Sequence, residues 1–452
     1  MFKRLKKCKT IREIFEVLGK KPFGKAAEVI LIMWTMLPLT SIITHIIWAD
    51  KDVEDYIYQF NIMSKYQTVV MFMGLLTIQL IIVYGIGLII WNRGKIKSSF
   101  ISYMRKRPWN IFFALMLIWS IVCTLCSNDI HTSFFGTEYR YDGLLTYFFY
   151  AAVYMCANII KDKKSRKDVL ISYAITSAVM GMCLLLQDYG VVTNVFKLER
   201  ATVFNQFNHM GYYLNMSVLV MTGLFLMEDN KKRKILCTAG IAFQIYCLIV
   251  NNTFGGYLGT VVGVISVCLI YVIKTKKKNV IVVPIAILIV LSIMSSVGLV
   301  PSSGKSNIGG DFIKLFKDTQ SIATGADDMD KAGTGRMIYW KACFKMIPES
   351  PIVGYGPEQL NDQYWESTFT DRPANEYIQH MVFLGIPGLI LYLGALITML
   401  VCQLKKIKEL ELTTIAAAGC VIAYAVCAFT GNTMFYTTPY MFLFLGMATK
   451  SG

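Results

Sequence analysis

The side chains best suited to chemistry in this chain of 452 residues are four arginines, Arg140, Arg200, Arg336 and Arg372, each in a distinctive setting. Arg140 lies within Phe135-Gly136-Thr137-Glu138-Tyr139-Arg140-Tyr141-Asp142-Gly143. Arg200 precedes Asn208-His209-Met210-Gly211, and Arg336 follows Gly333-Thr334-Gly335 at the start of an amphipathic stretch with apolar Met337, Trp340, Phe344 and Ile347. Taken singly, each is read as an interfacial arginine whose head reaches water. Three at helix mouths on one face point further. A guanidinium fork grips phosphate oxygens two at a time and keeps its charge in a low-dielectric setting. The free N–H groups of an adjacent helix start, here the Gly333 to Gly335 turn, add to that grip. Such a cluster suits a diphosphate at a membrane surface. The four histidines, His45, His131, His209 and His380, lack metal-ligand spacing, so neither metal nor cofactor is expected. Cys123-x-x-Cys126 closes an apolar stretch and is read as a buried structural pair.

The elements that must hold these arginines are membrane helices. Hydrophobic residues make up 55% of the chain, with mean hydropathy +0.50, more apolar surface than a soluble protein of this size hides. Spanning a core of ~30 Å takes about 20 helical residues. Twelve windows qualify: 26–48, 67–91, 108–126, 143–160, 168–186, 209–227, 235–250, 254–273, 279–299, 376–401, 413–430 and 434–449. The expected fold is therefore an all-α integral membrane protein of about 12 transmembrane helices with both termini inside. It divides into a basic amphipathic segment 1–25 and helices 1–9 over 26–299. A large extracytoplasmic loop 300–375 follows, with its own amphipathic helix, and helices 10–12 occupy 376–452.

Charge supports that division. With the N-terminus inside, 32 of the 45 basic residues fall on the inner side of this topology, as the positive-inside rule requires. Runs such as Lys231-Lys232-Arg233-Lys234 are thus orientation signals, and the net charge of +16 does not imply a nucleic-acid partner.

The chain resembles the O-antigen ligase/polymerase superfamily of integral-membrane glycosyltransferases. The resemblance rests first on Gly335-Arg336-Met337-Ile338-Tyr339-Trp340-Lys341 and Ser350-Pro351-Ile352-Val353-Gly354-Tyr355-Gly356-Pro357. It continues through Asn375-Glu376-Tyr377-Ile378-Gln379 and Gly385-Ile386-Pro387-Gly388-Leu389. The segments around Arg140, and from Arg200 through Gly211, resemble earlier parts of the family pattern. The resemblance implies metal-independent transfer of a glycan from an undecaprenyl-diphosphate donor at the outer face of a bacterial cytoplasmic membrane. Arg140, Arg200 and Arg336 would hold the diphosphate. Asn375, Glu376 and Tyr339 would shape the acceptor side, with Asn208 and His209 as further pocket residues. The acceptor is a glycan or a second lipid-linked glycan, and a chain-length regulator is an open partner.

One position departs from the family pattern. Where a general-base histidine is expected, before Asn375-Glu376, stands Ala374, which accepts no proton. A positioned base contributes about 100- to 10,000-fold in rate. The chain is then an inactivated form, a variant using Glu376, His209 or Glu138 instead, or a binder of lipid-linked glycan that does no chemistry. His380, six residues on, is expected to lie roughly 9 Å deeper as a packed residue. Phe254 stands where some relatives carry arginine, with Asn251 and Asn252 expected near the outer cavity. Polymerase is the preferred activity and ligase the alternative. A lipid-linked oligosaccharide flippase is the alternative from another class, although ionisable residues at mid-membrane, which transporters use, are nearly absent.

Overall fold

The computed structural model describes residues 5–48, 55–138, 140–191, 204, 206–298, 336–360, 368 and 370–449. Arg200, the Gly333-Thr334-Gly335 turn and the glycine/serine stretch 302–310 lie outside the described residues. The described part is helical: α1 (Ile11–Leu18), α2 (Lys21–Trp48), α3 (Asp55–Trp91), α4 (Ile96–Lys106), α5 (Trp109–Leu125), α6 (Ile130–Phe135), α7 (Leu144–Ile159) and α8 (Lys163–Asp188). Then come α9 (Phe207–Met227), α10 (Lys231–Asn251), α11 (Phe254–Thr275), α12 (Val282–Ser296), α13 (Arg336–Met346), α14 (Glu376–Lys405), α15 (Leu412–Cys427) and α16 (Thr438–Ala448).

Each of the twelve apolar windows falls on one of these helices, but length sorts them. Among the described residues eight helices are long and apolar enough to cross a membrane, and a ninth span exists if α4 and α5 count as one. That pair is bent by 102°, so α4 runs across the direction of α5. Helices α7, α12 and α16 are apolar yet shorter. At 1.5 Å per residue the 11-residue α16 reaches about 16 Å, roughly half the apolar thickness. The expected crossing by 434–449 is therefore not met by helix alone.

Caps define several starts. The Asp162 carboxylate accepts from Ser165 N–H at 2.9 Å ahead of α8, and Asn230 accepts from Lys232 N–H at 3.0 Å ahead of α10. Small residues let the central helices close up. A β-carbon at Gly259 of α11 would meet the Ala423 carbonyl of α15 at 2.5 Å, and one at Gly223 of α9 would meet the Ala416 β-carbon at 2.2 Å. Helix association in lipid relies on such close approach. At the N-terminus Phe15 of α1 is buried against Phe23 and Trp91, whereas Ile11 remains exposed.

Helix α14 is broken near its start. Gly385 has φ +68°, and Pro387 brings no N–H. Three carbonyls at the break find partners outside the helix. Tyr355 N–H donates to Val382 O, Gly356 N–H to Phe383 O, both at 2.9 Å, and the Trp119 indole to Leu384 O at 2.8 Å. Ile386 N–H donates in turn to Pro351 O at 2.9 Å. The segment Pro351 to Gly356 thus docks into the break. A β-carbon at Gly385 would lie 1.9 Å from Ile352 O, so only glycine fits. Two short motifs singled out in the sequence are in this way halves of one joint.

Candidate functional site

The joint fixes the first turns of α14 at the mouth of the bundle. Asn375 caps that helix: its side-chain oxygen accepts from Tyr377 N–H at 3.0 Å and Ile378 N–H at 3.1 Å, while its amide donates to Phe429 O at 3.3 Å. Glu376, fully buried, accepts from the Tyr392 hydroxyl at 2.7 Å and the Tyr424 hydroxyl at 2.9 Å. His380 sits one turn below, its Nε2 3.7 Å from Glu376 Oε1 and its ring 4.4 Å from that of Tyr392. It is packed, as expected, but neither ring nitrogen has a hydrogen-bond partner. Both residues line a cavity of about 250 Å³ running between α5 and α7 toward Tyr103 and Asn110.

Around this centre the loops are joined by charge. Arg140 is buried and gives both prongs of its guanidinium to Asp371, Nε to Oδ2 at 2.5 Å and Nη2 to Oδ1 at 2.7 Å. Arg372 is buried too. It donates to Glu358, whose other oxygen accepts from Thr137 N–H at 3.1 Å and Thr137 Oγ1 at 2.5 Å. Its second arm stands 3.8 Å from Asp142 without a hydrogen bond. Asp142 accepts from the Tyr150 hydroxyl at 2.5 Å and from Thr433. Burial raises the Asp142 carboxyl above its ordinary range against the pull of Arg372, and burial lowers the Arg372 guanidinium to about 10 while Asp142 opposes the change. The charge of Arg140 also bears on Arg372, and those of both reach His209.

The remaining candidates are distributed around the same mouth. His209, buried on the first turn of α9, pairs Nδ1 with Thr437 Oγ1 at 3.1 Å and stacks on Tyr212. Asn208 beside it is half-buried, and Glu138 is exposed. Arg336 opens α13, where burial lowers its guanidinium, with Tyr212 and Tyr339 among the groups opposing. Trp340, one turn along, donates its indole N–H to Pro373 O at 2.9 Å, tying α13 to the loop that carries Ala374. The buried face of α13 runs through Cys343 and Met346, while Phe344 is 51% exposed, so the stripe expected through Phe344 is displaced. Ala374 itself has φ +51°, the left-handed region. Asn251 donates to Phe207 O at 2.9 Å and to Thr253 Oγ1 at 2.7 Å, which makes it a clamp between the α10–α11 turn and α9.

Several participants were missed at the sequence level. Arg372 stood among the scarce arginines yet was not given a role, although its place two residues before Ala374 was visible. Asp371, Glu358 and Asp142 gave no local sign of pairing. The segment between α15 and α16 read as a short turn, but it is buried and bonded: Gln379 donates to Thr433 Oγ1 at 2.6 Å and accepts from Thr433 N–H at 3.2 Å.

Fold and site together define a multi-pass helical membrane protein with a charge-lined polar site at one mouth of its bundle. A family model described as O-antigen ligase matches residues 239–393, and this supports the O-antigen ligase/polymerase superfamily as the family of the chain. The match includes Arg336, Tyr339, Ala374, Asn375 and Glu376 and leaves out Arg140, Arg200, Asn208 and His209. It suggests membrane glycan transfer, and with it an enzyme, a lipid-linked glycan and a bilayer. No curated protein matches the chain.

Proposed function

We propose that the protein is a membrane glycosyltransferase, a polymerase of surface polysaccharide, that takes glycan from an undecaprenyl-diphosphate donor at the extracytoplasmic face. The observation that carries this reading is the gathering of buried Arg140 and Arg372 with the Ala374 to Glu376 turn at one mouth. In the reaction an acceptor hydroxyl attacks the anomeric carbon and gives its proton to the base expected at position 374, the bond from that carbon to the phosphate oxygen breaks, and the diphosphate leaves on the lipid. Its developing charge is what fixed guanidinium groups favour in the transition state. Asp371 offers Arg140 two carboxylate oxygens in the geometry that a phosphate would offer, and its side chain is 44% exposed. A diphosphate can therefore replace it at the same fork. Arg200 and Arg336 complete the donor side in this reading, and Tyr339, Asn375, Asn208 and His209 border the acceptor.

The position of Ala374 fits an inactivated form. A left-handed backbone costs alanine about 1–2 kcal/mol, and asparagine, aspartate and histidine adopt it more readily. Glu376 is an unsuitable replacement base, since two tyrosine hydroxyls already engage its oxygens. The test is Ala374→His, assayed with purified protein and lipid-linked repeat units. A ladder of products supports a polymerase, and product only after a second acceptor is added supports a ligase. No transfer in either case, with the variant folded, refutes the reading. Passage of carrier across liposomes without any glycosidic bond formed would favour the flippase.

A further inference from the structure

The end of the bundle remote from Glu376 carries a second hollow, of about 620 Å³, between α4, the start of α5, the α7–α8 turn and the last turn of α14. Lys106, Arg107, Lys161 and Lys406 line it with three serines of α4, Ser98, Ser99 and Ser102, and among the described residues no carboxylate does. Basic residues at this end also orient the chain in the membrane, and orientation alone asks for number rather than convergence. Here the cations converge on one recess and act on each other. The Lys161 ammonium is pulled below its ordinary range by burial and by Arg107, Lys20 and Lys106, so an anion in the recess would relieve repulsion.

Two further features say which anion. Helix α4, turned 102° from α5, exposes Ile96, Phe100 and Ile101, as a helix lying in the lipid interface does. Tyr103 lines both the basic hollow and the cavity between α5 and α7, whose far walls include Phe113, Leu117, Ala151 and Met155. A cationic pocket and an apolar crevice share one wall. A soluble phosphate would use only the first.

We propose that this is a binding site for an anionic phospholipid, whose acyl chain enters the cavity that Glu376 and His380 close at its other end. Its phosphate sits among Lys106, Lys161 and Lys406 with serine hydroxyls donating to it, and one acyl chain lies past Tyr103 in the crevice. Basic pockets between helix ends on the inner side are known hosts of anionic lipid headgroups.

The experiment is native mass spectrometry of detergent-purified, delipidated protein offered equal phosphatidylglycerol and phosphatidylcholine. Wild type is expected to retain phosphatidylglycerol about tenfold more strongly. The triple variant Lys106→Gln, Lys161→Gln, Lys406→Gln should lose that preference, and the triple Lys→Arg variant should keep it. Ala151→Trp, which fills the crevice and leaves the charges in place, should weaken retention of both lipids. Equal retention of the two lipids by wild type overturns the proposal without recourse to any variant. Displacement of bound phosphatidylglycerol by millimolar inorganic phosphate also overturns it, in favour of a soluble-anion site.

Discussion

Arg140 and Asp371, 231 residues apart in sequence, meet through two parallel hydrogen bonds at the mouth of the bundle. The pair joins the loop before α7 to the loop before α14. It also holds one face of a guanidinium that the proposed donor requires. Replacing Asp371 with Asn should therefore raise affinity for a polyprenyl diphosphate, read as a lower concentration for half-maximal retention on the carrier. Arg140→Ala should abolish retention and lower stability by about 1 kcal/mol, because the half-exposed Asp371 regains hydrogen bonds from water. Unchanged carrier retention in Arg140→Ala would remove this residue from the donor site.

Restoring a base should restore rate. Ala374→His is expected to raise glycan transfer about 100- to 10,000-fold, the range of a positioned general base. Thermal unfolding of the variant should show no loss, since histidine tolerates the left-handed backbone that alanine adopts at φ +51°.

Removing either tyrosine from Glu376 should act on the position of the carboxylate. Tyr392→Phe deletes one hydrogen bond and Tyr424→Phe two, the second being to Thr438, with an expected cost of about 1 kcal/mol per bond in thermal unfolding. In the Ala374→His background each should reduce transfer, and the two together more than either alone.

Gly385→Ala should be the most damaging single methyl group. The left-handed backbone costs about 1–2 kcal/mol and the new carbon meets Ile352 O, so the docked segment must leave. The measurement is limited proteolysis across Pro351 to Gly356, with cleavage accelerated in the variant and unchanged in a Gly298→Ala control, where the space is open.

Acid should reveal Asp142. Its folded pKa is raised above 3.8, so between that value and the folded one the native state binds more protons than the unfolded state. Stability from this group is then greatest in acid and declines as pH rises through the folded pKa. Asp142→Asn should flatten this slope in unfolding temperatures measured from about pH 4 upward, the unfolded carboxyl range.

The helices were legible because the bilayer acts as a solvent with a fixed thickness, and long apolar runs such as those of α3 and α14 answer to it directly. Helix α4 was not, since its three serines and its basic Lys97, Arg105 and Lys106 read as an inner loop. The motifs around Gly354 and Gly385 were visible separately, yet nothing in the sequence said that one docks into the other. Partners of the site residues were hidden by separation: Tyr424 lies 48 residues from Glu376, and Glu358 lies 221 from Thr137. The buried segment between α15 and α16 was missed because threonine and asparagine suggest a solvated turn, whereas here their side chains replace water.

The break at Gly385 divides α14 into unequal mechanical pieces. Below it the helix belongs to the bundle, and above it the nine residues from Glu376 to Leu384 are fastened to the returning strand of loop and to Trp119. Movement of the lower shaft, through lipid thickness or neighbouring helices, reaches Glu376 and His380 by that splice and by Tyr392, whose hydroxyl bonds the carboxylate and whose ring packs on the imidazole. Glu376 and His380 are accordingly held by two anchors, the docked loop above and a single tyrosine of the shaft beneath them.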